Sequence, residues 1–421
     1  MTTKFQPLLY AEHLKNSRRY ATQGGLLIEW NGVHWRLLDA VESERRAMAW
    51  MVEHQTEFVS ANAARAAVAT ALLHLPPQSI ASRDLLIPCQ NGYVVLDEGG
   101  LRMIPPASEL GVTYAIGCQY EPDAPRPSRF LAFLEEILPD VEIRERVQEY
   151  AGYSLTSDTR YQRAQMWVGR GANGKGVLAN ILQELHGHFA SASLDNLSGF
   201  KLSSLVGASL IYVDEAPSGR IDENLLKSLI AGEAVLVDRK YRDPITVRLL
   251  GKWLVLGNQM PHIADHSDGT WRRWDIVPFD VQIPEHKRDA QLARTIIKNE
   301  LSGVLNWALE GLVRLNERGR FNPQMPAAMT RMLGAAKTRT NSVLAWIEDV
   351  GVCIDSDGRL TQKEAVYGHY KIWAKSNGVT TLASPQFGAK LNEIFPQLHE
   401  CRRTSVRYLN LTVPGVTTRA S

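Results

Sequence analysis

Residues 166–182 read MWVGRGANGKGVLANIL: an apolar strand, a glycine-rich turn and the start of a helix. Gly169, Gly171, Ala172, Asn173, Gly174 and Lys175 fall on the pattern GxxxxGK, with Gly176 and Val177 following. In such a loop, backbone N–H groups cradle phosphates and the lysine neutralises the β- and γ-phosphates. The helix that follows turns its positive end toward the same anion. The residue after the lysine is usually Ser or Thr, whose hydroxyl holds Mg²⁺. Here it is Gly176, so water is expected in that coordination position. The plain alternative is a tight turn that needs positive φ. The strand before the loop and the helix after it favour the phosphate reading.

Three further pieces carry chemistry. LIYVDEA places Asp214-Glu215 at the end of an apolar run, 39 residues after Lys175. Two adjacent carboxylates repel, and a bound cation offsets the cost of bringing them together. Asp214 would hold Mg²⁺, directly or through water, and Glu215 would polarise an attacking water. LVLGNQMP ends another apolar run at Asn258, whose amide could touch the γ-phosphate or orient the water; a turn residue before Pro261 is its plain alternative. DGTWRRWDIVPF carries Arg272 and Arg273. An arginine reaching the γ-phosphate of a neighbouring copy can supply a large rate factor. A surface arginine pair bridged to Asp268 or Asp275 is the alternative.

The set GRGANGKG, IYVDEA, LGNQMP and WRRWDIVPF resembles the superfamily 3 helicases, and within them the phage and plasmid primase–helicase C-terminal module related to the poxvirus primase–helicase. The resemblance covers roughly residues 85–420. It implies an AAA+-like core, assembly as a ring, usually a hexamer, and ATP hydrolysis between subunits with Mg²⁺ as cofactor. Single-stranded DNA would pass through the pore. Asn173 and Lys175 then match the loop asparagine and phosphate lysine, Asp214-Glu215 the acidic pair, and Asn258 the polar sensor. Arg272 or Arg273 matches the trans-acting arginine, and spacing leans to Arg273. The phage branch often shows GKG, so Gly176 does not dismiss the likeness.

Between the acidic pair and Asn258, AVLVDRKY and ITVRLL read as two strands around Arg242-Asp243-Pro244. The resemblance implies a pore hairpin with a basic residue on the DNA backbone: Lys240 first, then Arg242, with Arg239 beside them. Phosphate contact there is salt-dependent and indifferent to sequence. At the C-terminal end, NSVLAWIEDVGVCI reads as a helix. LTQKEAVYGHYKIWAKSNG has Thr361 and Glu364 at capping-box spacing, and ASPQFGAKLNEIF offers Ser384 as a cap before Pro385. LHECRRTSVRYLNLTV then reads as a two-stranded wing. Three helices and a basic hairpin resemble a winged helix, with Lys390, Arg402, Arg403 and Arg407 toward DNA phosphates. Docking to protein is the alternative use of such a module.

These residues need elements to hold them. Residues 160–280 alternate strand-like and helix-like runs, which predicts an α/β core around a parallel sheet. AQMWVG, ASLIYVDE and KWLVLGN are its candidate buried strands. A mixed α+β region, 1–119, precedes a helical collar or linker over 120–159. The core is expected over 160–285, a helical extension over 286–335 and the winged helix over 336–421. Asn31-Gly32 and Asn91-Gly92 signal hairpins in the first region, and Pro76-Pro77 ends an alanine-rich helix.

Composition sets outer limits. The 421 residues are 44% hydrophobic, enough for real cores. The four cysteines show no CxxC spacing, which argues against a zinc knuckle and for free thiols in a reducing cytoplasm, here that of a bacterial host. No membrane span or signal peptide is read, and no membrane partner is expected. Net charge is +2, yet residues 358–421 hold nine Lys/Arg against three Glu, which suggests an anionic partner for that end. The sequence thus leads to a replicative DNA helicase acting on single-stranded, forked or origin DNA beside a separate primase or other replication proteins. The rival is an origin-binding initiator or regulator that uses ATP only as an assembly switch. A small-molecule kinase would need neither a basic hairpin nor a winged helix.

Overall fold

The computed structural model describes residues 5–78, 85–216, 221–239, 242–259, 268–403 and 405–420. The chain divides into two compact units, Met1–Pro261 with Gly269–Met329, and Thr330–Ser421 with His262–Asp268.

Five strands form the central sheet of the first unit: Ala164–Val168, Phe189–Ser191, Leu210–Val213, Lys252–Gly257 and Trp274–Pro278. Numbered in chain order they lie 5-1-4-3-2, and every neighbouring pair is parallel. Strands one, four and five are buried along their whole length, as apolar runs in a covered parallel sheet should be. Val168 aligns with Gly257 and Val255 with Val213, so strands one, three and four end at one edge. The expected α/β class and parallel sheet hold.

Helix Lys175–His186 starts after Gly174 at φ 78° and stops at Gly187 at φ 68°. It buries Leu178, Ile181, Leu182 and Leu185, a helical stripe, into the core around Trp167, Leu254 and Leu256. That core also takes Phe130 and Phe133 from helix Ser128–Ile137, and Val304, Leu305 and Ala308 from helix Leu292–Arg318. Helices Val141–Ser154 and Leu292–Arg318 approach at glycines: a Cβ on Gly152 would lie 2.2 Å from the Ala308 carbonyl oxygen, so no larger residue fits. Within the fifth strand, Asp275 is fully buried and both its oxygens accept from Arg146 at 2.7 Å, with Arg163 at 3.3 Å. Ahead of the sheet, helices Pro7–Ser17, Ala40–His54 and Ala61–His74 share a separate small core.

In the second unit, Asn341 caps helix Ser342–Val350 by accepting from the N–H groups of Val343 and Leu344. Strand Arg359–Gln362, helix Lys363–Ser376 and helix Ser384–Ile394 follow, then strands Glu400–Arg403 and Val406–Leu409. Strand Arg359–Gln362 pairs with Val406–Leu409 and closes the sheet onto the helices. Trp346, Val366, Tyr370, Phe387, Leu391 and Leu409 form its core.

Three local expectations are corrected. Strands Ala234–Arg239 and Arg242–Arg248 form the hairpin, so Arg242-Asp243-Pro244 belongs to the second strand and not to the turn. The register shifts between Val237 and Arg239, and this bulge absorbs the proline, which has no N–H for the ladder. Thr361 is a strand residue rather than a helix cap: its buried hydroxyl donates to the Leu411 carbonyl at 2.5 Å. Ser384 is the first residue of its helix, with Ala383 at the cap position and no side-chain cap bond.

Candidate functional site

The parallel order builds the site. Strand one ends in the glycine loop, strand four in Asn258 and strand three in Asp214-Glu215, and all three ends face one edge. In parallel α/β sheets this carboxyl edge is where ligands settle.

The loop is held from behind. Gly169 N–H donates to the Gly257 carbonyl at 3.1 Å, and Phe279 N–H to the Val168 carbonyl at 2.7 Å. A Cβ on Gly169 would meet the Phe279 oxygen at 2.3 Å, and one on Gly174 would meet Ile137 at 2.5 Å. Ala172 adopts φ 62°, a left-handed conformation, while its carbonyl accepts from Ile283 N–H. Asn173 is buried; its amide donates to the Phe279 carbonyl at 3.1 Å and its oxygen accepts from Lys175 N–H at 3.4 Å. Its side chain is therefore a clamp on the loop, a role its place in a nucleotide motif does not reveal. Gly171 and Gly176, by contrast, face open space where a Cβ would meet nothing within 4 Å.

Lys175 Nζ donates to the Gly169 carbonyl at 2.8 Å and to Asn258 Oδ1 at 3.3 Å. Partial burial lowers its pKa, and the negative charge of Asp214 opposes that shift. Asp214 and Glu215 are exposed, and Tyr212 Oη donates to Asp214 Oδ1 at 2.6 Å. The sequence reading did not single out Tyr212, although strand alternation puts it on the same side as Asp214. A loop open at Gly171 and Gly176, a helix N-terminus, an ammonium and two exposed carboxylates fit a triphosphate with a divalent cation. Only the usual hydroxyl after the lysine is missing.

Arg272 and Arg273 lie elsewhere. Trp274 pairs with Ala164, the first residue of strand one, so both arginines stand at the amino edge. Five residues of strand separate them from the loop, roughly 16 Å at the rise of an extended chain. Arg273 donates to the Gly269 carbonyl and to Gln162 Oε1, the latter at 3.0 Å. Burial, and then Arg272 beside it, lower its pKa. Arg272 is exposed. Asp275 belongs to Arg146 and Arg163 and bridges neither of these two.

Of the hairpin residues expected at DNA, Lys240 lies outside the described residues, and Arg239 and Arg242 are described only as strand partners flanking the turn. On the second unit Arg402, Arg403 and Arg407 are exposed, and Arg402 pairs directly across from Arg407. Arg407 bridges Glu400 at 3.4 Å and Lys390 bridges Glu393 at 2.8 Å. Exposed pairs of this kind contribute little to stability. Among the described residues, no helix is long and apolar enough to cross a membrane.

Two family models match parts of the chain: one described as D5 N terminal like, over residues 8–139, and a family of unknown function (DUF5906) over 167–273, which spans the glycine loop through Arg273. A protein of Acanthamoeba polyphaga mimivirus provisionally named helicase L207/L206 is 27% identical over 58% of this chain and 28% of its own length. Another of Invertebrate iridescent virus 6, provisionally named helicase 184R, is 22% identical over 59% of this chain and 30% of its own. The chain spans less than a third of the length of these relatives. They come from viruses of eukaryotes, and nothing in them indicates the bacterial host expected from the sequence. In fold, the chain is similar to the apo structure of the NrS-1 C-terminal region, with a TM-score of 0.55, 12% identity, and coverage of 97% of this chain and 100% of that one. The chain is thus similar in sequence to helicase-named viral proteins, carries a D5 N terminal like match ahead of the sheet, and shares its fold with the NrS-1 C-terminal region.

Proposed function

We propose that the chain is a ring-forming, ATP-driven DNA helicase of the superfamily 3 type, with an AAA+-like P-loop core and a winged-helix second unit. One observation carries this reading: the parallel sheet gathers Lys175, Asn258 and Asp214-Glu215, far apart in sequence, at one edge, with Lys175 and Asn258 3.3 Å apart. The loop amides and Lys175 bind the triphosphate. Asp214 holds Mg²⁺, which when bound draws charge from the β- and γ-phosphates. Glu215 accepts a proton from the attacking water, and Asn258 orients that water or the γ-phosphate. Catalysis on this account is positioning and charge stabilisation. An arginine at the far edge cannot serve its own loop, so a neighbouring copy completes the site, as a ring, most simply a hexamer, requires. The hairpin at 234–248 grips single-stranded DNA, and Arg402, Arg403, Arg407 and Lys390 meet forked or origin DNA. A separate primase would supply primers.

Strand displacement on a forked duplex tests the reading. The helicase separates the strands with ATP and Mg²⁺ and not with a non-hydrolysable analogue. Binding of duplex DNA with no displacement, under conditions of active hydrolysis, would instead favour the initiator that uses ATP as a switch.

A further inference from the structure

The open question at the metal is what orients Asp214 when Gly176 offers no hydroxyl. Asp214 is an exposed carboxylate at a strand end, free to rotate unless something holds it. Tyr212 stands two residues earlier on the same side of the strand. Its hydroxyl donates to Asp214 Oδ1 at 2.6 Å, within the range of strong O–H···O⁻ bonds. Gln183, on the helix that follows the glycine loop, faces the same hydroxyl. Tyr212 therefore stands between the acidic strand and the phosphate-loop helix. With Oδ1 engaged by the phenol, Oδ2 is the carboxylate oxygen left to turn toward the open side of the loop. At Gly176 the space beside the backbone is empty: an added Cβ would meet nothing within 4 Å. The site thus has room for the usual hydroxyl and does without it.

We propose that Tyr212 is a positioning residue for the divalent cation, fixing the Asp214 carboxylate and so compensating for the glycine at position 176. The inference rests on the nucleotide-binding reading above. Tyr212→Phe removes the bond and keeps the ring. The measurement is the dissociation constant of a fluorescent ATP analogue, taken once with Mg²⁺ and once with EDTA, which needs no hydrolysis. In the wild type, Mg²⁺ tightens binding. In Tyr212→Phe that tightening shrinks roughly tenfold, the size of one charge-assisted hydrogen bond, while the affinity in EDTA is unchanged. Adding Gly176→Ser to Tyr212→Phe restores most of the loss. A Tyr212→Phe protein with the wild-type Mg²⁺ dependence overturns the proposal, as does an equal loss in EDTA, which marks a merely structural role. A double variant no better than Tyr212→Phe also counts against it. Failure of the underlying reading looks different: the wild type itself would bind no analogue in either buffer, or Lys175→Ala would bind it as well as the wild type.

Discussion

At the residue scale, the two arginines of WRRWD are chemically alike and structurally unlike. Arg273, toward which spacing leans, spends its guanidinium on Gly269 and Gln162 and sits partly buried. Arg272 is exposed beside it. An arginine that must reach another copy needs an accessible head group, so on the proposed reading Arg272 is the better candidate for the trans role. Arg272→Ala is expected to lower ATP hydrolysis by about a thousandfold, the scale of an arginine finger, with analogue affinity nearly kept. Mixing it with Lys175→Ala protein should restore part of the rate, because some shared sites then have both groups. Full activity of Arg272→Ala, with loss in Arg273→Ala at unchanged stability, would return the role to Arg273. Loop, acidic pair and amide were legible in the sequence because each adjoins an apolar run that can only be a buried strand. The orientation of Asn173 was not, since a side-chain amide turned inward and one turned outward have the same sequence.

At the element scale, the helix after the glycine loop is pinned at its far end by a buried histidine. His186 Nε2 meets Ser154 Oγ at 2.9 Å and Nδ1 meets Ser209 Oγ at 3.0 Å, tying that helix to helix Val141–Ser154 and to the start of strand three. Burial, and then the charge of Lys252, lower its pKa to about 3. Between pH 6.5 and about 3 the unfolded chain therefore binds a proton that the folded one refuses. The neutral pinned ring contributes stability above pH 6.5 that is lost as the pH falls through this window. His186→Gln should flatten the acid limb of a stability–pH curve measured by urea unfolding, and an unchanged slope would contradict the assignment. Elements were also where the sequence misled. Pro244 and Thr361 look like a turn and a cap, but long-range pairing overrode both, through a bulge in one case and the Leu411 carbonyl in the other. Strand order 5-1-4-3-2 was invisible for the same reason, because adjacency is decided by packing among segments distant in sequence.

At the scale of the whole molecule, a phosphate-side edge and an arginine edge lie on opposite ends of one sheet. On the proposed reading a single copy would hold half of each of two sites, which assembly would join. On the same reading the basic second unit and the hairpin would give such an assembly two places for a polyanion, one per compact unit. Every part of this picture depends on the carboxyl edge of the sheet binding and splitting a nucleoside triphosphate. Steady-state ATP hydrolysis by Lys175→Ala, beside wild-type protein of equal thermal stability, tests that dependence most directly. The account predicts hydrolysis by the wild type and none above background in the variant; a variant that turns over ATP at the wild-type rate would contradict it.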